Sequence, residues 1–207
     1  MDLKPKDAHN NKALFAEEEI AWQNGFRLIA GIDEAGRGPL AGPVVAAAVI
    51  LKDLNFGVRI DDSKKLTPAG RDKAFLQILD KAIIGIGIVF EDIIDKINIY
   101  RATLLAMERA VLNLSSHPDL LLIDGKMKLR IRCSQRSIVA GDSKSISIAS
   151  ASIVAKVTRD KLLSFYNSIF PEYGFKRHKG YGTRGHIDVL KSKGYSPIHR
   201  RTFNVRG

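Results

Sequence analysis

The sequence predicts an α/β domain in which helices pack on a mixed β-sheet. Apolar residues make up 45% of the 207 residues, which is typical of a globular chain with a sizeable core. After an initial helical segment, two short apolar segments follow one another, and similar segments alternate with helical patterns further along. Strands first, followed by strands alternating with helices, are typical of a mixed sheet covered by helices.

The predicted strands are short apolar segments bounded by turn residues. Four are expected, at residues 27–32, 44–51, 83–90 and 119–123. In the third, Gly85 and Gly87 alternate with isoleucines, which indicates that a neighbouring backbone approaches closely.

The predicted helices are identified by their caps and by the spacing of their apolar residues. Thr67 and Pro68 are typical of an N-cap and a first helical position, and Asn98 is a plausible N-cap for a later helix. A glycine- and histidine-rich loop at residues 178–186 precedes a short amphipathic helix and a basic tail. The four longer helices are expected at residues 13–24, 67–80, 98–114 and 145–161.

The formal net charge of +11 and the pI near 9.8 indicate a polyanionic partner. Within residues 126–132, four cations alternate with three apolar residues. In an extended strand the cations would share one face. That face could bind nucleic acid, or it could be the solvated side of an edge strand, where lysine also prevents aggregation.

Other sequence features favour a cytoplasmic protein without a membrane partner. The first twelve residues lack the apolar segment of a secretory signal, and the longest apolar run, residues 44–51, is shorter than the roughly 20 residues that span a bilayer. The single cysteine, Cys133, excludes an internal disulfide framework and fits a reducing compartment.

Residues 31–43, GIDEAGRGPLAGP, place two carboxylates in a glycine-rich turn. Such turns usually bind phosphate, which bare carboxylates would repel. The G-x-x-x-x-G spacing resembles a P-loop, but Arg37 and Gly38 stand where lysine and a hydroxyl residue are needed. The stretch also fits a dinucleotide-binding fingerprint poorly, because Pro39 and the two acids oppose that role.

Acidic residues recur at the ends of the predicted elements, where open α/β folds place their chemistry. Asp33 and Glu34 follow the first strand, Asp124 follows the strand at 119–123, and Asp142 precedes the buried helix. Carboxylates without histidine or cysteine select hard cations such as Mg²⁺ or Mn²⁺. Two such ions about 4 Å apart would clamp a phosphate for in-line displacement and reverse the local charge.

Several stretches together resemble the bacterial type 2 ribonucleases H (ribonuclease HII) from about Leu28 to Phe203. The matching segments are GIDEAGRGPLAGPVVAAAVIL, DDSKKL, INIYRATLLAM, LLIDG, GDSKSISIASASIVAKVTRD, HKGYGTRGH and HRRTF. The resemblance implies a ribonuclease H-like fold with a mixed central sheet, flanking helices and a helical C-terminal extension. The expected organisation is a partly helical segment at 1–26, a catalytic core at 27–165 and a basic extension at 166–207.

The resemblance also implies an activity and its residues. The expected activity is endonucleolytic cleavage of RNA in RNA–DNA hybrids and on the 5′ side of ribonucleotides embedded in DNA. The family's four metal-binding acids fall on the set collected above, and two Mg²⁺ or Mn²⁺ ions are expected with substrate. The Gly-Arg-Gly element that senses the ribose 2′-hydroxyl falls on Gly36, Arg37 and Gly38, and type 3 enzymes lack that element.

Further substrate contacts are expected outside that element. The aromatic partner that stacks on the sugar falls on Tyr181. Ser63 and Lys64 are expected to hold a phosphate of the DNA strand, and Lys144 either binds phosphate or balances the acids. A monomer acting on hybrids and on ribonucleotide-containing DNA is expected. The alternative is a non-catalytic hybrid- or RNA-binding module, which would have no need of four acids that oppose polyanion binding.

Overall fold

The computed structural model describes residues 12–203, and its centre is a five-stranded mixed sheet. The strands lie in the order β3-β2-β1-β4-β5. Their bounds are β1 Ile29–Ala35, β2 Val44–Leu51, β3 Ala82–Val89, β4 Leu120–Asp124 and β5 Ser134–Ile138. The first three strands form an antiparallel meander. Strand β4 pairs with β1 in parallel, and β5 pairs with β4 in parallel.

The parallel pairing of β1 with β4 positions the acidic residues. The register pairs Ile32 with Ile123, so the next residues along the two strands, Asp33 and Asp124, lie side by side. Parallel strands end at the same edge of a sheet. The first strand, expected at 27–32, extends to Ala35, so Asp33 and Glu34 lie within it rather than after it, and Asp124 is the last residue of β4.

The helices cover both faces of the sheet. Their bounds are α1 Ala16–Gln23, α2 Pro68–Lys81, α3 Glu91–Leu112, α4 Ile146–Ile169, α5 Phe175–His178 and α6 Arg184–Lys193. Helices α2 and α4 pack on one face, and α3 packs on the other. Side chains cap three of them, because Thr67, Ser145 and Thr183 each accept a hydrogen bond from a backbone N–H of the first turn.

Close approach of α4 to β1 depends on Gly31. A Cβ at this position would lie 2.0 Å from the carbonyl carbon of Ser147 in the first turn of α4. The expectation of close backbone approach at Gly87 is likewise confirmed, because a Cβ there would lie 1.9 Å from the carbonyl oxygen of Ala106 in α3. Only glycine permits both contacts.

Among the predicted helices, the third and the fourth differ most from the observed ones. The helix expected to start at Asn98 begins at Glu91, and Asn98 interrupts it with a φ of 67°. Its side chain still caps the segment that follows, accepting a hydrogen bond from the N–H of Arg101 at 3.1 Å. The buried helix expected to end at Lys161 continues to Ile169.

The expectation of an extended strand at residues 126–132 is wrong. These residues form an irregular crossover from β4 to β5, although Met127 and Leu129 are buried as the alternation predicted. The side chain of Gln135 accepts from the N–H of Leu129 and donates to the carbonyl oxygens of Leu129 and Ile131. A side chain therefore takes the place of a partner strand, and the cations stay exposed.

The C-terminal part of the chain packs through its own apolar cluster. The cluster joins Ala41 and Leu163 to Tyr173, Phe175 and, further on, Leu190 and Ile198. Helix α4 runs across the predicted boundary between 165 and 166, and residues 1–11 and 204–207 lie outside the described part. Within residues 12–203, no helix is long and apolar enough to cross a bilayer.

Replacement of Gly31 by alanine tests the approach of α4. The new Cβ would meet backbone atoms that cannot move alone, so Gly31→Ala should lower the free energy of unfolding by about 3 kcal/mol, the upper end of ordinary overpacking. Urea denaturation measures this loss. Gly185→Ala is the control, since its Cβ would meet nothing closer than 3.5 Å. Equal stability of the two variants would contradict the packing described.

Candidate active site

A cavity of about 390 Å³ opens at the edge where β1 and β4 end. Three of the predicted acids line it: Asp33, Glu34 and Asp124. Asp33 is buried, and one of its carboxylate oxygens accepts a hydrogen bond from the N–H of Glu34 at 2.7 Å. Asp33 and Glu34 are consecutive residues of β1, so no turn separates them, and both nevertheless line the cavity.

Asp142 reaches the same region from the other side. It lies in a short 3-10 helix, Gly141–Ser143, immediately before α4. The N–H of Gly141 donates to a carboxylate oxygen of Asp124 at 2.8 Å. This bond ties the segment that carries Asp142 to the end of β4, although Asp142 itself does not line the cavity.

The crowded acids raise one another's pKa. Burial, followed by repulsion from Glu34 and Asp124, raises the pKa of Asp33 well above its usual value. Burial also raises the pKa of Glu34 against the opposing effect of Arg37, and burial followed by Asp62 and Asp124 raises that of Asp142. The ionised acids therefore lack compensation for their charge.

Glu34 is only partly paired. Its Oε1 accepts from a guanidinium nitrogen of Arg37 at 3.2 Å, and the side chain of Arg37 is 46% exposed. Its Oε2 is buried and has no hydrogen-bond partner among residues 12–203. A buried anionic oxygen without a partner is a position that a cation would stabilise.

Cations and hydroxyl groups surround the acids. Lys64, Arg71, Lys156 and Arg159 line the cavity, together with Ser63 and Ser152. The two serine hydroxyls lie 3.0 Å apart. Burial lowers the pKa of Lys64, but nearby Asp62 and Asp142 outweigh burial and raise it. The cavity is therefore lined by both carboxylates and cationic side chains.

The donor set fits a hard divalent cation. All candidate ligands are carboxylate oxygens, and one of them, Oε2 of Glu34, is buried without a partner. In the described part of the chain, no three acidic, histidine or cysteine side chains are close enough to enclose a metal ion on their own. Mg²⁺ usually keeps several waters and combines one or two carboxylates with substrate phosphate, so a complete protein cage is not required.

The glycine-rich loop at residues 36–43 is held by the C-terminal part of the chain. The N–H of Leu40 donates to the carbonyl oxygen of Gly180 at 2.8 Å, and that of Gly42 donates to Ile198 at 2.9 Å. Gly36 and Gly42 have φ values of 97° and 88°, which favour glycine. A Cβ at Gly38 would lie 3.8 Å from the ring of Tyr181.

Three buried histidines support the segment that presents Tyr181. His186 donates through Nδ1 to the carbonyl oxygen of Tyr181 at 2.9 Å, and its Nε2 lies 2.9 Å from Nε2 of His199. Nδ1 of His199 accepts from the N–H of Ser196 at 2.9 Å, so its Nε2 carries the proton that His186 accepts. One consistent set of neutral tautomers satisfies these bonds.

The third histidine, His178, stacks on His186 with ring centres 4.2 Å apart. The N–H of Gly180 donates to its Nδ1, so its Nε2 donates to the carbonyl oxygen of Tyr173 at 2.6 Å. Burial lowers the pKa of all three rings, and that of His199, which His186 lowers further, falls to about 4. The network is therefore neutral at neutral pH.

The structure brings most of the predicted site residues together. The cavity lining includes Asp33, Glu34, Gly36, Ser63, Lys64, Asp124 and Tyr181. Arg37, Gly38 and Asp142 adjoin it through the contacts above. Lys144 lies apart: it is exposed, and its ammonium group donates to the carbonyl oxygen of Val139 at 2.8 Å.

Sequence reasoning missed four cavity residues. Ser152, Lys156 and Arg159 are polar residues spaced four and three apart in α4, which places them on one face. That spacing was a usable signal. Arg71, on the first turn of α2, had no comparable signal.

Comparisons with known proteins identify the family. The family model described as Ribonuclease HII matches residues 30–206. The chain belongs to the ribonuclease HII family. The ribonuclease HII of Acetivibrio thermocellus is 58% identical over 187 residues, covering 90% of this chain and 73% of that protein. That of Geobacter sulfurreducens is 52% identical over 207 residues, covering 98% and 94%.

Solved structures agree with this family. Ribonuclease H2 from Pyrococcus horikoshii aligns with a TM-score of 0.74 and 26% identity over 86% of this chain and 95% of that one. Bst-RNase HIII in complex with Mn²⁺ shares the fold, with a TM-score of 0.66 and 18% identity over 84% and 65%. The predicted ribonuclease H-like fold is confirmed.

Family membership decides between the two classes of function left open by the sequence. The protein is a ribonuclease H, an endonuclease that cleaves the RNA strand of RNA–DNA hybrids. The alternative of a non-catalytic binding module is set aside, because the relatives are nucleases.

Substitution of His199 tests the neutral histidine network. Its folded pKa of about 4 lies below the ordinary 6.5, so the unfolded chain takes up the proton first. The stabilisation is present above about pH 6.5 and is lost as pH falls toward 4. The stability difference between wild type and His199→Gln should therefore be about 2 kcal/mol smaller at pH 5 than at pH 8.

Urea denaturation at a series of pH values measures this difference. Comparing it with the same difference for His117→Gln, at an exposed loop position, removes effects that any histidine substitution would have. A gap between wild type and His199→Gln that stays constant from pH 8 to pH 5 would contradict a buried neutral network.

Proposed function

We propose that this ribonuclease also cuts duplex DNA on the 5′ side of an embedded ribonucleotide, leaving 3′-hydroxyl and 5′-phosphate ends. We further propose that divalent cations, Mg²⁺ or Mn²⁺, assist both reactions at the acidic edge of the sheet. The observation that carries this proposal is the meeting of Asp33, Glu34 and Asp124 in one cation-lined cavity, with the segment that carries Asp142 held beside it by the bond from Gly141 to Asp124. The proposed ligands are Asp33, Glu34, Asp124 and Asp142.

Bound cations would relieve the repulsion that, together with burial, raises the pKa of Asp33 and Asp142, and the donor set suits them. When bound, they would supply a more acidic water for attack on the phosphorus and positive charge for the departing 3′-oxygen. The structural relative Bst-RNase HIII was solved with Mn²⁺, which supports a divalent cation without deciding which one is used here.

The protein's own groups would bind and orient the nucleic acid. Lys64 and Lys156 on the cavity wall offer positive charge to phosphates, and the hydroxyl of Ser63 offers a donor. Each such contact exchanges counterions for protein cations, so affinity should fall as salt rises. Lys144, exposed and outside the cavity, would meet phosphate further along the duplex.

Ribose recognition is proposed for the loop that follows the first two acids. RNA differs from DNA by its 2′-hydroxyl, and backbone N–H groups can reach that oxygen only where side chains leave room, as at Gly38. The space beside Gly36 is taken by the guanidinium of Arg159. Tyr181 lies next to Gly38, and its side chain is half-exposed at the cavity mouth. Its ring offers a flat face to the sugar beside the cut.

Asp33→Asn tests the metal site without relying on activity alone. Loss of one buried charge among repelling neighbours should raise the melting temperature of the metal-free protein by roughly 2–4 °C, the shift that about 1 kcal/mol produces at this size. Mn²⁺ should raise the melting temperature of wild type but not of the variant, because a ligand that binds only the folded state stabilises it.

Scanning calorimetry with Mn²⁺, Mg²⁺ or EDTA measures these shifts, and cleavage of a duplex with one ribonucleotide is followed in parallel. Asp188→Asn, an exposed acid on α6, is the control and should respond to Mn²⁺ like wild type. Wild-type turnover of Asp33→Asn at saturating Mg²⁺ would refute the assignment.

Tyr181→Ala tests the sugar contact. Loss of one aromatic stacking surface is worth about 1–3 kcal/mol, so kcat/KM on a single embedded ribonucleotide should fall roughly 5- to 150-fold. Tyr181→Phe, which keeps the ring, should recover most of the loss. Tyr100→Ala removes another exposed tyrosine, on α3, and should leave kcat/KM unchanged. Negligible losses for Tyr181→Ala on both an embedded ribonucleotide and a long hybrid would remove this residue from the site.

A further inference from the structure

Two buried arginines bind the backbone of the loop at residues 36–43. Arg200 is fully buried, and its guanidinium group donates to the carbonyl oxygens of Gly36, Arg37 and Gly42 at 2.6–3.0 Å. Arg159, 1% exposed, donates to Ala41, Pro43 and Lys179, each at 3.0 Å. All of these bonds go to backbone carbonyl groups, so the arginines hold the backbone conformation of the loop and do not depend on its side chains.

The bonds from Arg200 determine the direction of two peptide groups. In a planar trans peptide, the C=O of one residue and the N–H of the next point in opposite directions. Because the carbonyl groups of Gly36 and Arg37 point toward Arg200, the N–H groups of Arg37 and Gly38 point away from it. Neither N–H donates a hydrogen bond to another group within residues 12–203. Both are therefore available to an acceptor from outside.

The surroundings leave the arginines little freedom. A Cβ at Gly36 would lie 2.0 Å from Nε of Arg159, so the guanidinium fills the space that a side chain would take. Glu91, buried at the start of α3, lies close enough to interact with both arginines, although burial raises its pKa to about 7. Arg200 itself is anchored, because its N–H donates to the carbonyl oxygen of Leu40 at 2.9 Å.

We propose that Arg159 and Arg200 are positioning residues for ribose recognition. By holding the carbonyl groups of the loop inward, they present the N–H groups of Arg37 and Gly38 outward as donors to a ribose 2′-hydroxyl. This inference rests on the proposed function, since it assigns a role in that same site. Arg200 does not line the cavity, and Arg159, which does, donates all of its guanidinium bonds to backbone carbonyl groups, so both arginines act through the backbone that they hold.

Replacement of each arginine by lysine tests the proposal while keeping the buried charge. Lysine cannot reach three carbonyl groups with a planar fork. Arg200→Lys should therefore lower kcat on a duplex with one ribonucleotide about 100-fold, the cost of a misplacement near 1 Å, with KM changed by less than about threefold because phosphate contacts persist.

The same variant should lose less on a long RNA–DNA hybrid. An embedded ribonucleotide offers a single 2′-hydroxyl, whereas a hybrid offers one at every RNA position, so a loosened loop can still find a productive register. Hydrogen exchange of the free protein, followed by mass spectrometry, should show faster exchange in the peptide containing residues 36–43, where Leu40 and Gly42 donate their N–H groups to the C-terminal segment.

Arg159→Lys provides a second variant, whose lost bonds hold residues 41 and 43 rather than 36 and 37. It should shift kcat in the same direction and by a smaller factor. Arg201→Lys, at an exposed neighbouring position, is the control and should match wild type in both assays.

The outcomes distinguish failure of the positioning role from failure of the proposed cleavage at an embedded ribonucleotide. If wild type cuts both substrates, two results would overturn the positioning role. One is an equal loss of kcat on the embedded ribonucleotide and on the hybrid, and the other is an unchanged kcat in Arg200→Lys and Arg159→Lys. Failure of wild type to cut an embedded ribonucleotide, with intact cleavage of the hybrid, would instead refute the proposed function. A selective loss on the embedded ribonucleotide, with faster exchange in the loop, would establish the role.

Discussion

The close approach of α4 to β1 at Gly31 is the constraint on which the rest of the site depends. Without a Cβ at that position, the first turn of α4 rests directly on the strand, and the short helix before it brings Asp142 toward Asp124. The resulting crowding is unfavourable, as the raised pKa of Asp33 and Asp142 records. The backbone hydrogen bonds between β1 and β4 hold Asp33 and Asp124 together although their charges repel. The fold therefore stabilises an arrangement of acids that is electrostatically unfavourable.

Much of this architecture follows from local sequence patterns. The second strand was predicted to the residue, because an uninterrupted apolar run between turn residues has few other outcomes, and the meeting of Asp33 with Asp124 follows from the rule that parallel strands end at one edge. Strand β5 was missed because SQRSI is polar and largely exposed. The alternation at residues 126–132 predicted correctly which side chains are buried, but it predicted a strand that does not form. Alternation indicates which side chains face the core, and it does not indicate which groups form hydrogen bonds with the backbone.

The contacts that hold the glycine-rich loop were beyond such reasoning. Arg200 lies more than 150 residues from the carbonyl groups it binds, and nothing near it in sequence indicates those partners. The acidic half of the site is thus encoded locally at strand ends, while the loop beside it is shaped by tertiary contacts. The two halves differ physically. The acidic half is a set of carboxylates whose negative charges are not neutralised, and the loop is a backbone conformation held by the side chain of Arg200, which is distant in sequence.

The dependence of the loop at 36–43 on residue 200 of 207 has a consequence for biosynthesis. All five strands and every carboxylate of the site leave the ribosome before Arg200 does. At a synthesis rate of about 5–20 residues per second, the loop waits roughly 8 to 30 s for its last anchor. A nascent or prematurely terminated chain can therefore assemble the acidic centre before it can shape the neighbouring loop, and only a chain that extends past Arg200 carries both.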